Sequence, residues 1–321
     1  MTGKRLELNV MIEGQEGLTW ERWQRLARAA EDGGFAGLYR SDHLTGLFGD
    51  STRPSLETWA SLPWLASATK RIRFGPIVSP LTFYHPALLA KRAAAIDQLA
   101  GGRFDLGIGA GWNEMEHRMF GLPFPPLRER MDRLECGARA IRALWRGTPA
   151  TLEQPYSPLH EAQSFPLPVG ARLIVGGRGE RRTMRVAAEL ADEWNATRVT
   201  FDEYPRKLEV LTGHCRAVGR EPATISRSLM VPIVIGRTRA EVAARLARGR
   251  AWFPRVPEHE TEWRAQSFLF GSVDEVVRDL RRWHGLGVER VMLQCLDIDD
   301  LPALELVARE VIPAVARDDE P

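Results

Sequence analysis

A (β/α)8 barrel is the fold this sequence predicts, and three observations carry the prediction. Short apolar runs alternate with longer amphipathic stretches almost from end to end, the pattern of a parallel sheet wrapped by helices. Eight such runs occur, nearly all followed by a helical pattern, which suits a closed barrel. Glycines and polar residues gather directly after the apolar runs, where the strand ends of a barrel converge on one rim. The 321 residues suit one domain of this kind. Residues 1–321 are therefore expected to form a single barrel with insertions at its C-terminal rim.

Each element has its own signal. Leu6 to Ile12 alternates as a first strand. Thr19 is placed to cap a helix running to Asp32, which Gly33-Gly34 ends. Phe35 to Arg40 forms strand two and stops at Ser41-Asp42-His43; Leu56 to Thr69 is the next helix. Ile72 to Val78 is strand three, and a helix from Pro86 to Leu99 opens with a proline suited to a first turn. Phe104 to Ile108 is strand four and Leu127 to Trp145 an amphipathic helix. Residues 146–170, with five prolines, form an irregular excursion over the barrel. Arg172 to Val175 is strand five, followed by Gly176-Gly177-Arg178-Gly179 and a helix to Leu190. Strand six (Asp192 to Asn195), a helix (Phe201 to Val218), strand seven (Ile225 to Ile235) and a helix (Arg239 to Ala251) follow. Ser272 and Glu275 make a capping-box pattern for a helix to Leu286. Val288 to Gln294 is strand eight, and Leu301 to Val315 the last helix.

Composition narrows the function class. With 44 basic and 42 acidic residues the net charge is +2, so no strong field draws the chain to nucleic acid or to a membrane surface. No window reaches transmembrane length, and the apolar run near the N-terminus is too short for a signal peptide. Cys136, Cys215 and Cys295 lie far apart with no CxxC, which argues against zinc or disulfide frameworks. A reducing, cytoplasmic setting is the expectation.

The stretch from Ala100 to Glu114 is the most informative. Strand four runs into a loop with glycines at 107, 109 and 111, which lets a flat ligand approach the backbone. No clean helix is expected after Gly111, so the spacing is not read as a dinucleotide fingerprint. Trp112, Asn113, Glu114, Glu116 and His117 follow the strand; Glu114 and His117 fit either a site or a solvent-facing insertion, and Trp112 fits either a pocket wall or loop packing. Metal hydrolysis is disfavoured: strand one ends in Met11-Ile12-Glu13 without a histidine, and Asp42-His43 cannot close a metal site alone. His43, at a strand end, can exchange a proton near neutral pH or act merely as a packing residue. Gly176 to Gly179 sits between a strand and a helix, where free amides with Arg178 and Arg181 favour an anion; the same residues also fit a tight turn with surface arginines.

Several blocks in order give the chain a resemblance to the luciferase-like monooxygenase superfamily, in particular its coenzyme F420 (deazaflavin)-dependent oxidoreductases. They are Glu13 to Trp20, Arg40-Ser-Asp-His43, Val78 to Pro86, Gly101 to Glu114, Phe120 to Leu127, Gly176 to Arg182 and Ala191 to Asn195. The resemblance implies a deazaflavin or flavin ring lying in the barrel mouth. It places Asp42 against the ring and His43 over its reactive face. It makes Ile77, Val78 and Ser79 a bulge, often with a non-prolyl cis peptide, behind the central ring. Gly111, Asn113 and Glu114 line the ring, Gly176, Gly177, Arg178 and Gly179 hold the phosphate, and Arg130 lies near a phosphate-binding arginine of flavin-using relatives. The catalytic glutamate of the deazaflavin dehydrogenases has its counterpart near Glu114, with Trp112-Asn113 intervening.

The expected activity is hydride transfer between F420 and a small organic substrate, with His43 and Glu114 as catalytic residues. Alternatives are an FMN-dependent monooxygenase in the same pocket and a flavin-binding barrel without catalysis. The resemblance also implies a homodimer. Substrate walls are expected from residues 45–55, 146–170 and 251–270, whose Trp252, Phe253, Trp263, Phe268 and Phe270 point to an apolar substrate or to core packing.

Overall fold

A computed structural model describes residues 5–48 and 50–316, so Gly49 of the 45–55 segment and both extreme ends of the 1–321 unit lie outside the described residues. In chain order the strands are β1 (Glu7–Ile12), β2 (Gly37–Arg40), β3 (Arg73–Pro76), β4 (Ser79–Pro80), β5 (Asp105–Gly109), β6 (Ala150–Leu152), β7 (Leu159–Ala162), β8 (Arg172–Gly176), β9 (Glu193–Thr197), β10 (Ser226–Ile235), β11 (Leu269–Gly271) and β12 (Arg290–Cys295). Neighbours run β3-β2-β1-β12-β10-β9-β8-β5-β4, with β11 added to the end of β10. All these pairings are parallel. β3 and β4 are two parts of one stave, interrupted at the cis Ile77–Val78 peptide. A bridge between Phe74 and Phe104, and Ser79 opposite Ile108, bring the two ends together. The ring is the predicted (β/α)8 barrel.

The helices are α1 (Trp20–Asp32), α2 (Thr58–Ala68), α3 (Pro86–Leu99), α4 (Glu114–Met119), α5 (Leu127–Leu144), α6 (Thr183–Leu190), α7 (Tyr204–Ala217), α8 (Arg239–Trp252), α9 (Glu260–Ala265), α10 (Val273–Gly285), α11 (Leu301–Leu306) and α12 (Ile312–Ala316). The predicted caps form: the Thr19 hydroxyl accepts the Arg22 amide, and Ser272 and Glu275 complete a reciprocal capping box. The predicted last helix carries a π-helical turn at Val307–Val311. Among the described residues no helix is long and apolar enough to cross a membrane.

Strand side chains alternate between a shell shared with the helices and the barrel interior. Outward residues such as Val10, Leu38, Phe104, Leu106 and Val175 join the main core under the helices. Inside, Met11, Tyr39, Ile77, Ile174 and Met292 form a separate apolar layer. Toward the strand N-termini that layer rests on an ionic plug. Asp105 accepts from Arg73 at 2.5 Å, from Arg172 at 2.8 Å and from the Tyr39 hydroxyl at 2.5 Å, while Arg290 bridges Asp105 and Glu193. Burial opposes ionisation of Asp105, but these guanidiniums outweigh it and hold its pKa well below the usual carboxylate range. The barrel is closed at this end, so access is from the C-terminal rim.

Three expectations change. Residues 146–170 connect the end of α5 to the start of β8, so they lie at the N-terminal face, opposite the mouth. There β6 and β7 pair as a hairpin, and the amides of Val169, Gly170 and Ala171 donate to the buried Asp97 carboxylate on α3. This segment cannot wall a substrate site. Residues 251–270 do lie beyond β10, yet Phe253, Trp263 and Phe270 are buried with Val234, Val242 and Leu296 in a satellite core. Finally, the polar insertion after Gly111 contains a helix, α4, capped by Asn113.

Candidate active site at the mouth of the barrel

The floor of the mouth is made by missing side chains. A Cβ built on Gly109 would lie 2.7 Å from one Val78 methyl, and one on Gly176 would lie 2.6 Å from the other. At Gly107 a Cβ would meet the Pro76 carbonyl oxygen at 2.3 Å. Glycine is thus required on β5 and β8 because the Ile77–Val78 bulge fills the space that side chains would take. The result is a floor in which the half-buried Val78 lies packed on the glycine backbone of β5 and β8.

At the end of β2, Asp42 is buried and accepts three hydrogen bonds: from the Ser79 hydroxyl, from Trp59 Nε1 at 3.1 Å and from the Tyr84 hydroxyl at 3.1 Å. Burial raises its pKa, against the pull of these donors and of Arg40. Asp42, Ser79 and the bulge therefore form one connected wall.

His43 stands beside this wall. Its Nδ1 lies 2.8 Å from Glu116 Oε1, and Glu116 Oε2 accepts the Leu44 amide at 3.1 Å. The Glu116 side chain is 1% exposed and that of His43 13%. Burial alone would lower the His43 pKa; the hydrogen bond and charge of Glu116, with Glu13 and Asp42 adding, raise it instead. The Trp112 ring, 61% exposed, meets the imidazole edge-on at 5.9 Å. Glu13, at the end of β1, accepts from Gln15 at 2.9 Å and from Gln294 on β12 at 2.5 Å.

The sequence-predicted residues separate into those that meet here and those that do not. Asp42, His43, Ile77, Val78, Ser79, Gly109 and Gly176 converge. Glu114 does not: it is exposed on the first turn of α4, and Glu116, two residues on, is the carboxylate against the imidazole. A helix period starting at Asn113 was the signal that could have separated them, since residues 116 and 117 share the buried side. Asn113 spends its side-chain oxygen on the Met115 and Glu116 amides, which fixes where α4 begins. His117 is fully engaged, with Nδ1 2.6 Å from the Asn113 carbonyl, Nε2 2.8 Å from Thr82 and its ring between Phe83 and Phe124. Gly111 has φ +77°, and Arg130 donates to its carbonyl at 2.5 Å. Arg130 also donates to the Pro125 carbonyl at 3.0 Å and stacks over Phe124, so this guanidinium fastens the loop to the start of α5.

The glycine turn after β8 also differs in detail. Gly176 finishes the strand, and the Gly177 amide just beyond it donates to the Asn195 carbonyl at 3.0 Å. α6 begins only at Thr183, whose side chain lies under Gly177 and Gly179. Among the described residues, the amides of Arg178, Gly179, Glu180, Arg181 and Arg182 donate to no protein acceptor. The available anion-binding groups are thus the amides between the glycines and α6. Arg178 donates to the Arg198 carbonyl at 2.9 Å, and Glu180 is paired with Lys207 at 2.6 Å.

A parallel eight-stave barrel with a bulged third stave, glycine-floored mouth and Asp-His at the end of β2 defines a luciferase-like barrel. The model of the luciferase-like monooxygenase family matches residues 8–293, and the chain belongs to that family. It is 31% identical over 229 residues to the F420-dependent glucose-6-phosphate dehydrogenase of Kineococcus radiotolerans, covering 70% of this chain and 66% of that protein. A second such dehydrogenase, from Beutenbergia cavernae, is 33% identical over 177 residues, 52% of this chain and 50% of that one. The chain thus spans between half and two thirds of the length of these curated relatives. Among solved structures, an F420-dependent secondary alcohol dehydrogenase in complex with an F420-acetone adduct superposes with a TM-score of 0.82 at 19% identity, over 97% of this chain and 99% of that one. EDTA monooxygenase from Chelativorans sp. BNC1 superposes at 0.81 and 16% identity, over 99% and 95%. These two likenesses concern the fold.

Proposed function

We propose that the protein is an oxidoreductase that transfers hydride between coenzyme F420 and a small organic substrate. One observation carries the reading: an imidazole, held by a buried carboxylate, stands at the edge of a glycine floor into which no side chain could be added without displacing Val78. The matching dehydrogenases are F420-dependent, which supports the deazaflavin over other flat cofactors. The cradle fits such a group. Gly107, Gly109 and Gly176 seat the Ile77–Val78 bulge that would back its ring, the Asp42–Ser79 wall borders it, and the amides of residues 178–182 suit its anionic tail.

Bound F420 would supply or accept the hydride. The chain's own work is positioning and proton transfer. His43 Nδ1 is committed to Glu116, whereas Nε2 has no protein partner among the described residues. Nε2 is thus the atom that takes the hydroxyl proton of an alcohol or returns one to a carbonyl. The exposed face of Trp112 excludes water on one side of the imidazole and offers apolar contact to the substrate.

The alternative reading is an FMN-dependent monooxygenase using the same pocket. Arg130 weighs against it: the guanidinium that the resemblance would assign to a flavin phosphate is tied to two carbonyls and a phenyl ring. Titration of the cofactor-free protein with F420 and with FMN decides between them; tight FMN binding without F420 binding would overturn the proposal. His43→Ala should lower F420 turnover by about 10²–10⁴-fold with little change in F420 affinity. Undiminished turnover would remove His43 from the chemistry. By resemblance the protein is also proposed to act as a homodimer, which light scattering in solution tests.

A further inference from the structure

We propose that Glu116 is a positioning residue for His43: it holds the proton on Nδ1, fixes the ring plane, and so reserves Nε2 for proton exchange with the substrate. The inference rests on the reading of His43 given above and extends it to a residue on a different element.

The argument starts from what a carboxylate can do. An ionised Glu116 only accepts hydrogen bonds, so at 2.8 Å from His43 Nδ1 it requires the proton to sit there. Its second oxygen is not free to turn away, because the Leu44 amide donates to it at 3.1 Å. That amide belongs to the residue following His43, so one carboxylate grips both the ring and its own backbone. The grip is preset by α4. The Asn113 side chain caps the helix by accepting the Met115 and Glu116 amides, which aims position 116 inward. With Glu116 1% exposed, its side of the pair is shielded from solvent, and a bond of this kind is stronger in such surroundings than at a surface.

The consequence follows for either direction of reaction. When an alcohol is oxidised, its hydroxyl proton passes to Nε2, and bound F420 would be the acceptor for the hydride lost from its carbon. The alcohol becomes a carbonyl, and the imidazolium formed is balanced by Glu116. In reduction the same proton returns from Nε2 to the carbonyl oxygen. The other charged groups facing the imidazole are Glu13 from the end of β1 and its neighbour Asp42 on the β2 side. Glu13 is already engaged by two glutamine amides and Asp42 by three donors, which leaves Glu116 as the direct partner.

The test needs no substrate. Imidazole nitrogen shifts are followed by NMR against pH in the cofactor-free protein, His43 being identified by the loss of its signals in His43→Asn. The wild type should show the Nδ1–H tautomer and a midpoint above the ordinary histidine value of about 6.5. In Glu116→Gln the amide can satisfy Leu44 through its oxygen only by turning its NH2 toward Nδ1. The midpoint should then fall and the proton move to Nε2. Glu116→Asp, which keeps the charge, should retain a raised midpoint. An Nε2–H tautomer in the wild type, or unchanged tautomer and midpoint in Glu116→Gln, would overturn the proposal. The wild-type measurement stands even where a variant does not fold. F420 titration reports separately on the cofactor, so a protein that binds no F420 yet shows the expected imidazole behaviour fails only the functional reading.

Discussion

Replacing Gly176 by Ala tests the glycine floor directly. The new Cβ would sit 2.6 Å from Val78 Cγ1, whereas carbon atoms in contact prefer roughly 3.5–4.0 Å. An overlap of about 1 Å must be relieved. Val78 cannot swing aside freely, because its other methyl already faces Gly109, where a Cβ would come to 2.7 Å. Overpacking of this kind costs about 1–3 kcal/mol. Val78→Ala removes both methyls of a half-buried side chain and should cost about 1 kcal/mol. In the double variant the clash is gone, so Gly176→Ala should then be nearly neutral. A double-mutant cycle measured by urea unfolding should therefore give a coupling of about 1–3 kcal/mol in favour of the pair. The single variant Gly176→Ala should also weaken F420 binding, since Val78 is pushed toward the ligand, and Val78→Ala should restore it. Additive stabilities, with Gly176→Ala equally costly in both backgrounds, would refute the claim that the bulge dictates glycine here.

Further outcomes follow from the ionic plug, the imidazole pair and a helix cap. Asp105→Asn removes the anion shared by Arg73, Arg172 and Arg290 and should destabilise the barrel by about 3–5 kcal/mol in urea unfolding. Because the folded pKa of Asp105 is depressed, its contribution is complete above the unfolded value of about 3.9 and is lost as pH falls toward the folded one. Acid titration of stability should accordingly be shallower in Asp105→Asn than in the wild type. His43 has the opposite sign: its raised folded pKa gives stability that is complete below about 6.5 and disappears as pH rises through the folded value. Glu116→Gln should reduce that alkaline loss, and an unchanged slope would count against the ion pair. Ser272→Ala opens the capping box of α10 and should cost about 1 kcal/mol, read as a lower urea midpoint at constant slope.

The fold was legible because its signals are local and periodic. Pro86 to Leu99 opens with proline and ends where the structure ends α3, and the Ser272–Glu275 cap depends on four consecutive residues. Elements too short to show a period escaped: α4 has six residues, β11 three, and the β6–β7 hairpin is bent by irregular pairing. That residues 146–170 lie on the N-terminal side of the barrel follows from connectivity once α5 and β8 are recognised. A segment joining a helix to the next parallel strand must return to the N-terminal face.

By itself the sequence determined the barrel, the Asp42-His43 pair at a strand end and the glycine-rich floor, because each depends on residue type and on alternation along a strand. Only the tertiary structure decided that Glu116 rather than Glu114 meets the imidazole, that Arg130 is spent on a loop, and that Trp263 and its aromatic neighbours are core. Each of these turns on how a short helix or a long side chain docks against residues far away in the chain. Spacing along the chain carries no information about that docking, since it is set by packing and by the pairing of buried charges.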